Sequence, residues 1–241
     1  MQNNSRHFAA IGVLVVIFTF LVFWVLDAVL QFPAAASIQA GPIDALIQGH
    51  LWVIAFLFSL VIVIMVYALF LFRRREGDKE EGEYFHGNST LEILWTVLPM
   101  IAVIAFGYWA TVALSEITQR QDNEVIVNAE GFQWGWNFSL PNNDAVTQEL
   151  VLPVGMPIRM DMTSKDVLHN FWVPEFRVKQ DIVPGRTTHL RFTPTTEGEY
   201  TLVCSELCGL NHTGMIAKVR VVSQSEFAAF WNEAVQTASS K

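Results

Sequence analysis

The chain has 241 residues, is 52% hydrophobic and carries a formal charge of −8 at pH 7. So apolar a composition is unusual for a soluble domain and fits a chain that lies partly in a membrane. The acidic balance argues against nucleic acid as a partner, because a phosphate backbone calls for a basic face.

Three uncharged apolar runs come first. Phe8 to Leu26 has 19 residues, and Leu51 to Phe72 and Ile93 to Leu114 have 22 each. About 20 apolar residues span the hydrocarbon core as a helix. None of the runs has the polar face that a helix on a soluble core carries. The first run follows Arg6 and ends before Pro33-Ala34-Ala35-Ala36-Ser37, so it reads either as a secretory signal with a small-residue cleavage site or as a retained helix, and the retained helix is favoured. Arg73, Arg74 and Arg75 follow the second run, and Lys79 comes soon after. They place the loop from Arg73 to Glu92 on the cytoplasmic side and deliver the tail outside. The outer loop from Gln31 to His50 has no Lys or Arg, in agreement.

From Ser115 onward charge returns and the apolar runs shorten. This tail, about 125 residues long, is enough for one compact domain. Seven stretches read as strands: Glu124 to Ala129, Phe132 to Phe138, Gln148 to Pro153, Pro157 to Thr163, Thr188 to Pro194, Glu199 to Cys204 and Ile216 to Val222. Turn-forming stretches such as Pro141 to Asp144 and Val183 to Arg186 separate them. Short strands at this spacing suggest a sandwich or a Greek-key barrel. Ser223 with Glu226 forms a capping-box pattern and predicts a closing helix. The expected segments are 1–36, an N-terminal transmembrane or signal-like segment; 49–116, a transmembrane hairpin; and 117–241, the outer domain.

The sequence Cys204-Ser-Glu-Leu-Cys208-Gly-Leu-Asn-His212-Thr-Gly-Met215 holds both cysteines of the chain. A disulfide is the plain expectation in an outside-facing domain. It would close a very small loop and stabilise little, and it gives no reason for His212 and Met215. Zinc is poorly served by a thioether, whereas copper accepts soft sulfur alongside imidazole. Two thiolates can bridge two coppers, each then needing one His and one weak ligand. His169 is the favoured second imidazole, since His189 sits within an alternating strand. A membrane-anchored β-sandwich interaction module with a disulfide is the competing reading.

This loop, together with Asp166 to Arg186, Gly131 to Phe138 and His86 to Pro99, resembles subunit two of the haem-copper cytochrome c oxidases. The likeness runs from about Gly49 to the end. The resemblance implies an α+β membrane protein in which transmembrane helices precede a cupredoxin-like Greek-key β-barrel. It implies a binuclear Cu-A centre of two copper ions. Cys204 and Cys208 would bridge the ions, His169 and His212 would bind one each, and Met215 and the Glu206 carbonyl would be weak axial ligands. The Glu206 carboxylate would face a magnesium ion shared with subunit one, near Asp181 and Arg186. Read alone, Trp134 and Trp136 lie on one strand face and serve equally as core aromatics; by resemblance Trp134 is the entry point for electrons. Gly135 and Lys165 depart from the family pattern around it. Asp166, Glu130 and Asp122 would dock the donor, a cytochrome c or a small blue copper protein, and Glu92 would stand at the mouth of a proton channel. Oxygen chemistry coupled to proton pumping belongs to subunit one, and the other oxidase subunits would be further partners. The setting implied is a bacterial inner membrane with the copper domain on the periplasmic face. A quinol oxidase subunit shares this architecture but lacks the ligands, and nitrous oxide reductase has a similar loop without the membrane hairpin.

Overall fold

The structure is a computed structural model that describes residues 4–74, 76–77, 84, 86–142 and 144–239. Arg75 and Lys79 of the basic cluster, and Asn143 of the expected turn, lie outside the described residues. The chain divides into two compact units, Met1–Gln31 with Ala45–Thr111 and Phe32–Asp44 with Val112–Lys241.

Three helices come first: α1 (Asn4–Val29), α2 (Ala40–Leu71) and α3 (Ser89–Ile117). Each is long and apolar enough to cross a bilayer. Large side chains such as Val13, Phe20, Ile54, Val61 and Val103 are exposed along them, as expected of surfaces whose natural solvent is lipid. Within the first unit α1 packs on α2. Phe23 stacks on Trp52 with ring centroids 3.8 Å apart, and the Tyr67 hydroxyl meets His7 Nδ1 at 2.7 Å. Asn88 caps α3, its side-chain oxygen accepting from the amides of Thr90 and Leu91 at 3.0 and 3.2 Å. Pro99 lies inside this helix, where a membrane span tolerates it.

The second unit is built on nine strands: β1 (Val125–Phe132), β2 (Gly135–Ser139), β3 (Leu150–Pro153), β4 (Ile158–Ser164), β5 (His169–Trp172), β6 (Lys179–Ile182), β7 (Thr188–Phe192), β8 (Gly198–Cys204) and β9 (Ile216–Val222). They form a four-stranded sheet in the order β2-β1-β4-β7 and a five-stranded sheet in the order β3-β9-β8-β5-β6. The pairs β1–β4 and β3–β9 are parallel, and the other ladders are antiparallel. The sheets close on one core as a cupredoxin-like barrel. In β4 the alternation is clean: Ile158, Met160 and Met162 are buried, while Arg159 and Asp161 face outward. Trp136, Phe138, Phe171, Phe176 and Phe192 fill the interior. Helix α4 (Gln224–Ser239) closes the chain, with the Glu226 amide donating to Ser223 Oγ at 3.2 Å as the capping pattern predicts.

Two sequence expectations change. Phe132 to Phe138 is not one strand: β1 ends at Phe132, Gln133 and Trp134 form a tight turn, and β2 starts at Gly135. Trp134 and Trp136 therefore do not share a face; Trp136 is 2% exposed and Trp134 is 37% exposed. The turn closes tightly because Gly135 has no side chain: a Cβ there would lie 2.7 Å from Phe132 Cζ. His169 is the first residue of β5, and the short strands β5 and β6 carry too few residues to read as periodic.

The small residues after α1 also gain a packing role. Ala36 is buried, donates its amide to the Glu175 carbonyl at 2.9 Å and accepts from the Thr195 amide at 2.9 Å. Ser37 Oγ donates to the Phe176 carbonyl at 2.8 Å.

Candidate metal centre

Cys204 is the last residue of β8, and β9 begins at Ile216. The connecting loop is therefore a long hairpin crossing between two paired strands, and its ends are tied by the Cys204 amide donating to the Met215 carbonyl at 3.1 Å. The loop folds back on itself through Gly209, whose φ of +116° favours glycine. A Cβ at Gly209 would also lie 2.8 Å from Gln133 Nε2. His212 to Gly214 make one 3-10 turn. Strand β5 pairs with β8 in a register that sets Phe171 opposite Cys204, and this brings His169 beside the loop. Gly131 leaves room for the imidazole: a Cβ there would sit 3.2 Å from His169 Cδ2.

The two sulfurs are 3.7 Å apart and both cysteines are free. That separation is far beyond the ~2.05 Å of a disulfide, which removes the staple reading. Around Cys204 Sγ lie His169 Nδ1 at 3.9 Å and the Glu206 carbonyl oxygen at 3.3 Å. Around Cys208 Sγ lie His212 Nδ1 at 3.5 Å and Met215 Sδ at 3.7 Å. Each sulfur thus has one imidazole and one weak donor beside it. The ligand atoms of His169, Cys204 and Cys208 all lie within 4.8 Å of one another. His169, Met215, Cys208 and Cys204 are all buried. Burial, followed by the hydrogen bond from Cys204 and its proximity, pushes the Cys208 thiol up to about 11. A metal that takes the Cys208 sulfur as thiolate must therefore displace its proton. Two thiolates and two imidazoles alone would also suit zinc; the thioether and carbonyl beside the sulfurs are further weak donors that copper accepts, and the set fits a hard cation poorly.

The surroundings fix the donors. His169 Nε2 lies 2.8 Å from Asp166 Oδ1. A carboxylate only accepts, so Nε2 carries the proton and Nδ1 presents its lone pair to the sulfurs. Asp166 also accepts from the Gln133 amide at 2.7 Å and the Val167 amide at 2.7 Å. Burial pushes the Asp166 carboxyl up, but its bonds to His169 and to these amides outweigh that and hold it below its ordinary value. Gln133 Nε2 donates to the Cys208 carbonyl at 2.7 Å, and Trp134 Nε1 reaches the same oxygen at 3.3 Å. Below the loop, Ser205 Oγ donates to Asn170 Oδ1 at 2.8 Å, and Asn170 Nδ2 donates to Asp181 at 2.7 Å.

These neighbours were only partly visible in the sequence. Gln133, Asn170, Ser205, Gly131 and Gly209 act through contacts made by strand pairing, and no spacing rule marks them. Of the expected docking acids, Asp166 is turned onto His169. Glu130 is ion-paired with Lys165 at 2.9 Å and accepts from Asn137 at 3.1 Å. Asp122 is exposed before the start of β1, the whole strand, about 25 Å at ~3.3 Å per residue, away from the Trp134 turn. Arg186 is exposed in the turn after β6, its amide donating to the Val183 carbonyl at 3.2 Å. Glu92 is exposed in the first turn of α3. The Glu206 carboxylate does not join the cluster of His169, Cys204 and Cys208 among the described residues.

Comparison with known proteins gives the family. Residues 143–222 match the family model of the cytochrome c oxidase subunit II periplasmic domain, and residues 25–111 match that of its transmembrane domain. A cytochrome c oxidase subunit 2 from Synechocystis sp. is 31% identical over 230 residues, covering 76% of this chain and 69% of that protein. The chain belongs to the cytochrome c oxidase subunit II family. An alternative cytochrome c oxidase subunit 2 from Bradyrhizobium diazoefficiens is 32% identical over 228 residues, covering 82% of this chain and 81% of the relative. The periplasmic domain of subunit II of cytochrome oxidase from Bradyrhizobium japonicum, a crystal structure, is 33% identical and aligns over 49% of this chain and 97% of that one, with a TM-score of 0.45. As a member of the subunit II family, the chain is one subunit of an oxidoreductase complex in a membrane, with its β domain on the outer side and other oxidase subunits as partners.

Proposed function

We propose that this subunit II receives electrons from a soluble carrier at the outer membrane face and passes them towards haem in subunit one. The observation that carries the reading is the two-ended donor set: each of two adjacent buried sulfurs has its own imidazole and its own weak donor. Cys204 and Cys208 would bridge two copper ions, His169 and His212 would each bind one, and Met215 and the Glu206 carbonyl would complete the set. Bound there, the copper pair supplies one-electron transfer with its charge spread over both metals by the thiolates. The chain's own part is to keep that cage fixed and dry. Asp166 holds the His169 ring in one orientation. Gln133 and Trp134 hold the Cys208 carbonyl. Cys204, Cys208, Met215 and His169 exclude water from the sulfurs. With all ligands already in place, little has to move when an electron arrives.

Trp134 is the proposed entry point, because it is the exposed aromatic whose indole N–H touches the backbone of a ligand. The donor is a cytochrome c or a small blue copper protein, and Asp166, Glu130 and Asp122 are the acids near which it would dock. The Glu206 carboxylate would serve a magnesium ion shared with subunit one. Glu92 would load a proton channel that continues in subunit one, where oxygen is reduced to water with proton pumping. The setting is a bacterial inner membrane, with the copper domain in the periplasm. The N-terminal segment is 1–36, the membrane hairpin 49–116 and the copper domain 117–241.

The deciding experiment is metal analysis with spin-resonance spectroscopy on the purified oxidase. Two coppers per chain with one unpaired electron shared between two nuclei are expected. A single-copper signal, or zinc in place of copper, would sink the reading.

A further inference from the structure

The metal loop carries its apolar side chains on the outside. Leu210 is 100% exposed and Leu207 is 78% exposed. They flank Cys208 and Gly209, and Gly209 is the residue on which Trp134 lies: a Cβ there would be 3.3 Å from Trp134 Cζ2. Next to Gln133 on the other side, joined through Asp166, Val167 and Leu168 are 37% and 36% exposed. A run of large exposed apolar groups around one exposed tryptophan marks an interaction surface.

Two of the carboxylates beside this patch are already paired within the chain. Asp166 is bound to His169 and to the Gln133 and Val167 amides. Glu130 is ion-paired with Lys165, whose ammonium also lies 5.7 Å from the centre of the Phe132 ring. Phe132 in turn fills the space left open at Gly135. A lysine-ringed carrier needs free carboxylates around the entry point; Asp166 and Glu130 are engaged, and Glu206, beside Leu207, is the acid proposed to face subunit one. Asp122 is at the far end of β1.

We infer that the Trp134 face docks an electron carrier whose exposed cofactor edge is ringed by uncharged apolar side chains, and that their association is nearly independent of ionic strength. The inference rests on the proposed electron entry at Trp134. Leu207, Leu210 and Trp134 form the centre of the contact, with Val167 and Leu168 at its margin. Attraction between exposed charges is screened beyond a Debye length of about 10 Å at 0.1 M salt and raises association rates only at low salt. Apolar docking has no such dependence.

The test is stopped-flow reduction of the purified oxidase by two reduced probes. One is a lysine-ringed cytochrome c, and the other is a small blue copper protein with an apolar face over its copper edge. The apolar-faced probe is expected to be the faster, its second-order rate constant changing less than about twofold between about 10 and 500 mM salt. Leu210→Glu is expected to lower that constant about tenfold, by placing a desolvated charge in the contact, while copper content and spectrum stay as in the parent. Leu207→Glu gives a second measure at a separate exposed position. A lysine-ringed probe that is faster, with a rate falling about a hundredfold over the same salt range, would overturn the inference. So would unaltered rates in both leucine variants. Trp134→Ala separates the two readings. If it leaves the rates unchanged, both the entry point and the docking face fail; if it slows transfer while the leucine variants do not, only the docking face fails.

Discussion

The helical unit and the β unit obey opposite rules about where apolar residues belong. In α1, α2 and α3 the large apolar side chains point outward. In the barrel most of them point inward, and the two most exposed exceptions, Leu210 and Leu207, both lie on the metal loop, ahead of Val146 and Ile216. In the first unit exposure is the default, because lipid is the solvent. In the second an exposed leucine is information, because water is the solvent. The same residue type therefore carries a functional signal in one half of the chain and none in the other.

The largest effect that tests this division is at the loop. Cys208→Ala removes the sulfur that lies between Cys204, His212 and Met215. Copper should be lost and carrier-driven turnover should fall to background, as metal analysis and oxygen uptake would record. An apolar substitution of similar size in α1, such as Val13→Ala, should change neither. In the core, Trp136→Ala should cost about 3–5 kcal/mol, because a fully buried aromatic leaves a cavity, and calorimetry of the purified protein would measure it. The Trp136 indole N–H has no partner among the described residues, so Trp136→Phe should be far milder.

Asp166→Asn is the next smaller change. The amide would keep the shape but lose the charge that fixes the His169 tautomer, and copper affinity should fall about 10- to 100-fold. A residue that only docked the donor would instead alter association rate and leave affinity untouched. A competition titration with a copper chelator distinguishes the two.

These contrasts also explain what the sequence could reveal. The spans were legible because a helix in lipid needs nothing but length and the absence of charge. The proposed donor set can be read from sequence because five of its six members sit in one loop with fixed spacing, and His169 is one of two remaining imidazoles in the outer domain. Trp134 was misread as part of a continuous strand because the turn at Gln133 and Trp134 depends on Phe132 folding over Gly135. The bond between Asp166 and His169 depends on how β5 begins. Both features are contacts set by tertiary register, which periodicity does not encode.

A smaller effect concerns pH. Asp161, outward on β4, accepts from Arg159 Nη2 at 2.6 Å and His189 Nδ1 at 2.7 Å. Burial pushes its carboxyl up, but the bonds to Arg159 and then His189 outweigh burial and hold it below the ordinary value of 3.8. A depressed folded-state value means that the stability contributed is present above 3.8 and is lost as pH falls through the lower folded value. Asp161→Asn should therefore lower stability by about 1 kcal/mol or less at neutral pH, as expected of a pair near the surface, and should flatten the loss below pH 4. Unfolding curves at neutral and acid pH would measure both.

The smallest structural effect is expected where the helical unit carries its own proposed function. Glu92 lies in the first turn of α3, where a negative charge adds about 0.3–1 kcal/mol against the helix dipole. Glu92→Gln should barely alter the fold and should leave copper content and spectrum unchanged, since the residue belongs to the unit that holds none of the proposed ligands. If Glu92 loads a proton channel, oxygen uptake should nevertheless slow, and the slowing should persist with a saturating donor because it acts after electron entry. Unchanged turnover would reduce Glu92 to a helix-capping charge. Slowed turnover with altered copper spectra would instead mean that the two units are coupled through the membrane helices, and the separation drawn between them would have to be given up.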